Sequence, residues 1–401
     1  MPGPLDGIRV LDLTSIILGP WSTQIMGDMG ADVIKVEAPE GDMLRAIGPA
    51  HNPGMAALYL NTNRNKRGVV LDLKRPAARA ALLRLAETAD VFVHSMRPKA
   101  IQRLGLAYAD LAAANAKIVY CATYGYRKGG PYSDRAAYDD MIQGASGLAS
   151  LLARRFGEPS YVPTVMADKT VALAVVGSVA MALFHRERTG QGQELEVPMY
   201  ETMVSFVMLE HLHGQTFVPA MGETGYPRTL SPSRKPYRTK DGYVGVLPYS
   251  DKQWKALFAV VGRPDMARDP RFATLAARAE NIDALYAELA DQVAARTTAE
   301  WLDTLDAANV PATPINDFDD LIEDPHLKAV GFWRSMDHPS EGTLRTADIP
   351  VSFSKSPGDL RRPPPRLGEH TVEVLGEGGL DEAEIAALCA DGDAVQADAD
   401  G

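Results

Sequence analysis

The sequence predicts an α/β fold: a large domain built on a mostly parallel sheet, and a second, smaller α/β domain. Two observations carry this. Short apolar runs alternate with helical patterns between Ile8 and Cys121, the rhythm of strands joined by helical crossovers. Composition then shifts over Phe217 to Tyr237, which is rich in Pro, Gly and Ser and reads as a linker or long loop.

The elements follow in order. Ile8 to Leu13 is a strand. A helix starts near Pro20, whose missing N–H costs nothing in a first turn, and runs to Met29. Ala31 to Val36, Val69 to Asp72, Asp90 to His94 and Lys117 to Cys121 are strands, with helices over Arg75 to Ala89 and Lys99 to Ala114 between the last three. Asp140 to Arg188 is helical with a break at Gly157 to Pro163. Gln193 to Val197 is a strand and Met199 to His213 a helix. The smaller domain, Gly225 to Phe332, holds a strand at Asp241 to Leu247 and helices at Asp251 to Val261, Asn281 to Ala290 and Thr298 to Ala308. Thr297 or Thr298 caps the last helix, and Val310 to Ile315 is a short Pro-bounded strand. Pro357 to Leu367 is rich in Pro and Arg, a helical pattern reaches Leu388, and the small, acidic last dozen residues are expected to fray.

The chain has 401 residues, 46% hydrophobic and 23% charged, enough for a full-sized core. A net charge of -11 argues against broad nucleic-acid binding but leaves room for a local basic patch. Cys121 and Cys389 lie far apart and fit a reducing compartment. The eight histidines show no HExxH or Cys/His grouping, so no metal is expected. No P-loop or GxGxxG follows the first strand, which leaves a nucleoside triphosphate or nicotinamide cofactor without support. The opening MPGPLDGIRVLDL lacks the basic head and apolar run of a signal peptide, and the apolar stretch Thr170 to Phe184 is short for a bilayer span. The expectation is a cytoplasmic protein that binds neither membrane nor nucleic acid.

Four polar features call for explanation. Asp168 lies between a Gly/Pro-rich loop and an apolar helix; taken alone it reads as a helix cap. The run Asn63, Arg64, Asn65, Lys66 and Arg67 taken alone reads as a solvated basic face. His211, His213, Arg228, Arg234, Lys235 and Arg238 are many cations for a plain linker. Asp139 and Asp140 read as a helix-start charge pair.

The opening PLDGIRVLDLTSIILGPWSTQIMGDMGADVIKVEAPEGD resembles that of the class III CoA-transferases, a superfamily that includes formyl-CoA transferases, carnitine CoA-transferases and alpha-methylacyl-CoA racemases. The likeness continues through Leu60 to Arg67, Val70 to Lys74, Arg97-Pro98 and Arg103 to Leu106. It reappears at Tyr124-Gly125, Gly130 to Tyr132, Pro163-Thr164 with Ala167-Asp168, and Gly190 to Gln193. The last blocks are Pro236-Tyr237 with Asp241-Gly242, and Leu367 to Thr371. The resemblance implies a large Rossmann-like domain made from both ends of the chain, 1–216 and a return segment 333–401, around a small domain 225–332. It also implies an interlocked homodimer.

The chemistry it implies is transfer of coenzyme A from an acyl-CoA to a free carboxylic acid, with both acting as substrates and no resident cofactor. Asp168 looks like the catalytic aspartate, forming an anhydride and then an aspartyl-CoA thioester. Backbone N–H groups near Ile17, Leu18 and Gly19 are candidates for stabilising the oxyanions; some relatives carry Gln at the position of Ile17. Tyr138 stands where the racemases carry a histidine. A tyrosine titrates near pH 10 and a histidine near 6.5, so Tyr138 fits a transferase better than a two-base racemase. The cluster Asn63, Arg64, Lys66 and Arg67, with Arg45, Arg97 and Arg103, is the candidate phosphate patch for CoA. Val36 and Met96 are candidates for contact with adenine; Ser95-Met96 replaces the Asn-Phe of many relatives, so no aromatic is there to stack. Val246 to Ser250 stands in place of the glycine-rich flap of some relatives, against an oxalate or formate specificity. The cations between His211 and Arg238 fit a second carboxylate, as in succinyl-CoA. A racemase or epimerase, and an acyl-CoA-binding protein without catalysis, are the alternative readings.

Overall fold

The computed structural model describes residues 2–398. They form two compact units: 2–147 with Tyr161–Phe206 and 328–398, and Leu148–Ser160 with Val207–Leu327.

The first unit is built on a seven-stranded sheet. Six strands, β1 (Arg9–Leu13), β2 (Asp32–Glu37), β3 (Lys66–Leu71), β4 (Val91–His94), β5 (Val119–Ala122) and β6 (Gln193–Glu196), stand in the order 3-2-1-4-5-6 and pair in parallel. That is the order of doubly wound nucleotide-binding folds. Buried on both faces, the inner strands read as continuous apolar runs, such as Val91-Phe92-Val93. The helix expected from Pro20 spans Leu18–Asp28, and the pattern from Lys99 to Ala114 is two helices, Pro98–Arg103 and Tyr108–Ala114, parted by Gly105.

Two differences arise in the C-terminal part. Trp333–His338 and Gly342–Ala347 form a two-stranded antiparallel hairpin that the sequence reading did not identify. The acidic tail, expected to fray, pairs Ala394–Val395 antiparallel with β3 at the sheet edge, while residues 399–401 lie outside the described residues. The pairing holds because Asp393 accepts from Arg75 and the Thr371 hydroxyl donates to the Val395 carbonyl at 2.6 Å. Helices Thr371–Glu377 and Glu382–Ala390 pack Val374, Leu375, Ile385 and Leu388 into the same core as Leu82, Leu85 and Val69.

Helix Met166–Thr189 is long and apolar enough to cross a membrane by length and composition. Its Val171, Val175 and Val179 are buried in the unit, while Leu173, Met181 and Phe184 stand exposed.

The second unit packs Trp254, Phe258, Leu285, Leu289, Trp301 and Leu305 beside a three-stranded antiparallel sheet of Tyr237–Arg238, Tyr243–Val246 and Ala312–Pro314. Thr297 caps helix Thr298–Ala307 in a reciprocal box with Glu300. Leu148–Ser160 belongs to this unit, whereas the sequence reading left it with the large domain.

Candidate active site

In a sheet of this order the chain leaves β1 and β4 toward opposite faces, and ligands bind in the crevice beyond the strands' carboxyl ends. A cleft of about 540 Å³ lies there. Its walls are the loop after β1 (Thr14 to Leu18), Val36 at the end of β2, Ser95 to Arg97 after β4 and Thr123 to Gly125 after β5. Arg135 to Tyr138 and Asp168 also line it.

The loop after β1 is fixed from below by buried charges. Asp12, wholly buried, accepts from the Thr23 hydroxyl at 2.6 Å and from Lys66 Nζ at 3.0 Å. Lys35, opposite Asp12 on β2, donates to Asp42 Oδ2 at 2.9 Å and to the Thr14 carbonyl at 3.1 Å. Asp42 Oδ1 in turn accepts the Ile16 amide at 3.2 Å and the Leu44 amide at 3.0 Å. Ile16 has φ of 70°, a conformation that costs a β-branched residue about 1–3 kcal/mol and persists only where its surroundings dictate it. Gly19 permits the close approach of helix Leu18–Asp28: a Cβ there would lie 2.1 Å from Thr14 Cβ. Burial pushes the Asp12 carboxyl up, but Lys66, Lys35 and the Thr14 and Thr23 hydroxyls outweigh it, and the net is about 2.

Asp168 is in the first turn of helix Met166–Thr189 and is only 7% exposed. Its side chain makes no cap to the helix, unlike the reading of the residue in isolation. Its amide donates to Asp139 Oδ1 at 3.0 Å, and Asp139 Oδ2 accepts from Gln143 at 2.6 Å. Gln143 Oε1 accepts the Val162 amide at 2.9 Å, which fastens the loop before Asp168. Asp139 therefore serves a second helix as well as its own. Burial pushes the Asp168 carboxyl up, and the neighbouring Asp139 charge pushes it further, to about 7. A buried carboxylate in a cleft, held without a cation, is the pattern of a reactive acid.

Tyr138, Ile17 and Leu18 line the same cleft as Asp168. Tyr138 is 55% exposed, in extended backbone just before helix Asp139–Ala145. Gly125 lets this loop lie against the end of β5, since a Cβ there would come within 2.3 Å of Ala137 Cβ. Ile17 and Leu18 begin helix Leu18–Asp28. First-turn amides of a helix have no partner four residues back and favour negative charge.

Val36, Met96 and Arg97 also line the cleft. The rest of the expected phosphate patch is elsewhere. Arg64 pairs with Asp28, Lys66 with Asp12, and Arg67 with Asp32, Glu373 and Glu377. Asn63 is buried and accepts from Lys66 at 2.9 Å. Arg45 is buried against Glu37 at 2.6 Å. Arg103 is exposed at the end of helix Pro98–Arg103, off the cleft wall. The cluster from 63 to 67 thus works inside the fold. Asn65 holds the return segment, accepting the Arg361 and Arg362 amides at 2.8 and 2.9 Å. A run of cations does not reveal from sequence that each has a buried carboxylate elsewhere in the chain.

None of the cations between His211 and Arg238 lines the cleft that holds Asp168. His211 is buried and accepts the Tyr226 amide at 3.1 Å, while Arg234 and Lys235 line a separate pocket of about 380 Å³ with Tyr237 and Tyr286. Asp42, Arg135 and the coupling of Asp139 to Asp168 are not legible in the sequence, apart from Arg135 standing three residues before Tyr138.

Residues 5–371 match the family model described as CoA-transferase family III. The succinate–glutarate CoA-transferase of Agrobacterium fabrum is 33% identical, over 93% of this chain and 95% of its own length. The human succinyl-CoA:glutarate CoA-transferase is 31% identical, over 93% of this chain and 86% of its own. The crystal structure of a CAIB/BAIF family protein from Brucella suis superposes with a TM-score of 0.79 at 32% identity, covering 94% of this chain and 100% of that one.

Proposed function

Because this chain belongs to CoA-transferase family III, and is thus a class III CoA-transferase, we propose that Asp168 carries coenzyme A between succinyl-CoA and a free carboxylic acid. The observation that carries the reading is the placement of Asp168: buried, uncompensated by any cation among the described residues, and facing a cleft shared with the first turn of helix Leu18–Asp28.

Asp168 attacks the thioester carbonyl, forming a mixed anhydride and releasing CoA thiolate. The thiolate attacks the aspartyl carbonyl, giving an aspartyl-CoA thioester and the free donor acid. The acceptor carboxylate attacks the aspartyl carbonyl of that thioester and expels CoA thiolate; the thiolate then opens the new anhydride at the acyl carbon, which frees the new acyl-CoA and restores the Asp168 carboxylate. A carboxylate serves because its anhydride keeps the acyl group activated, where a serine ester would lose much of that activation. The amides at Ile17 and Leu18 are suited to the oxyanion of each tetrahedral intermediate, and Tyr138 lines the acyl end. CoA lies along Val36, Met96 and Arg97. The names of the relatives from Agrobacterium fabrum and human support small dicarboxylic acids as the substrate class.

We assign the exposed apolar stripe Leu173, Met181 and Phe184 on helix Met166–Thr189 to a homodimer interface, since a charged, water-soluble surface does not otherwise favour it. Incubation with succinyl-CoA and a panel of free acids tests the transfer. New acyl-CoA, read by mass spectrometry and absent with Asp168→Asn, is the expected result. Intact succinyl-CoA across the panel overturns the choice of donor.

A further inference from the structure

We infer that Arg135 reads a second carboxylate on the acyl group, making the site selective for dicarboxylic substrates; this rests on the Asp168 reading above. Arg135 lines the cleft with Tyr138 and Asp168. Within the same unit Arg45, Arg64, Arg67 and Arg186 each hold a carboxylate at 2.6 to 2.8 Å. Arg135 makes no ion pair among the described residues. Its guanidinium instead lies over the Tyr132 ring, 4.2 Å from the centroid. Stacking of that kind orders the fork while leaving its N–H donors free for a planar anion.

The loop that carries Arg135 is fixed to the reacting carboxylate. Its amide closes a turn on the Tyr132 carbonyl at 2.9 Å, Ala137 is seated on Gly125, and Asp139, four residues on, accepts the Asp168 amide at 3.0 Å. The four Cα steps from Arg135 to Asp139 span at most about 14 Å, so an arginine side chain on this loop is within reach of the far end of a short acyl chain. The charge balance also asks for it. Asp168 lines the cleft and Asp139 stands behind it, accepting its amide at 3.0 Å, so two carboxylates are already here and a diacid brings a third. Arg97, the other arginine of the lining, sits beside Met96 and donates to the Asp134 carbonyl at 3.3 Å. It belongs with the β4 wall. A bidentate arginine–carboxylate pair is the strong form of this contact and discriminates sharply against a methyl group in the same place.

The test compares isotope exchange of succinyl-CoA with labelled succinate against exchange of butyryl-CoA with labelled butyrate. The two acyl groups match in length and differ in the terminal carboxylate. The unaltered protein is expected to favour the succinyl pair. In Arg135→Met the succinyl/butyryl ratio of kcat/KM falls about 10- to 100-fold, the range for one charged hydrogen-bonding group, and Arg135→Lys lies between. A ratio unchanged within about twofold, whether both rates drop or neither does, overturns the assignment and marks Arg135 as a CoA contact or a bystander. A preference of the unaltered protein for the butyryl pair overturns it as well. Exchange of neither pair by the unaltered protein, with no CoA trapped on Asp168, removes the Asp168 reading and this one with it. Trapping with the ratio unchanged removes this one alone.

Discussion

Asp12 and Asp168 belong to the same unit and are both buried, yet their carboxyls move in opposite directions. Asp12 meets Lys66, Lys35 and two threonine hydroxyls and falls to about 2. Asp168 meets Asp139 and no cation, and rises to about 7. Burial acts on both alike; the neighbours decide. Where a carboxylate must be inert, as in the network under the loop after β1, the fold supplies buried lysines. Where one is proposed to react, the fold withholds them and leaves desolvation unopposed.

The largest effect is expected on the inert side. Lys66→Met leaves Asp12 buried without its nearest cation and is expected to cost about 3–5 kcal/mol of stability, read by urea unfolding. A cost under about 1 kcal/mol would mean that Asp12 is not held as described. The sign for acid pH follows: Asp12, depressed, contributes stability above its ordinary value of 3.8 and loses it as pH falls through about 2.

On the reactive side the sign reverses. Asp168 is raised, so its contribution is whole below 3.8 and is lost as pH climbs through about 7. Asp168→Asn removes that loss. The variant is expected to be more stable than its parent by about 2–4 kcal/mol at pH 8, with the gain shrinking toward pH 4. Equal stability at both pH values would remove desolvation as the cause of the shift. Activity moves the opposite way to stability: only the ionised carboxylate attacks, so kcat/KM of the parent should rise with pH through about 7 and then level. A flat profile between pH 5 and pH 8, about two units below and one above that value, would contradict it.

The smallest effect is expected at Tyr138. It is more than half exposed, and Tyr138→Phe keeps the ring while removing the hydroxyl. A fall in kcat of less than about tenfold places the hydroxyl among weak contacts. A loss as large as that of Asp168→Asn would give Tyr138 a part in the chemistry itself.

The parallel strands were legible because β1, β2 and β4 are buried on both faces and so read as apolar runs bounded by turns. The hairpin Trp333 to Ala347 was not, since its strands carry Arg334, Asp337 and Arg345 on an exposed surface and show no apolar alternation. The pairing of Ala394–Val395 depends on β3, over three hundred residues earlier, and no local pattern announces it. At the site, Asp168, Tyr138, Ile17, Leu18, Val36, Met96 and Arg97 came from resemblance and share one cleft. Arg64, Lys66 and Arg67 looked like phosphate ligands because a sequence shows cations but hides their partners: Asp28, Asp12 and Asp32 lie 36, 54 and 35 residues away.

The central claim is that Asp168 carries CoA as a thioester, and intact-protein mass spectrometry after brief incubation with succinyl-CoA tests it directly. A protein heavier by one CoA less one water is expected, with the added mass on the peptide containing Asp168, discharged by a free acid and absent from Asp168→Asn. Turnover of succinyl-CoA into a new acyl-CoA with no such adduct, or with the adduct retained in Asp168→Asn, would contradict it.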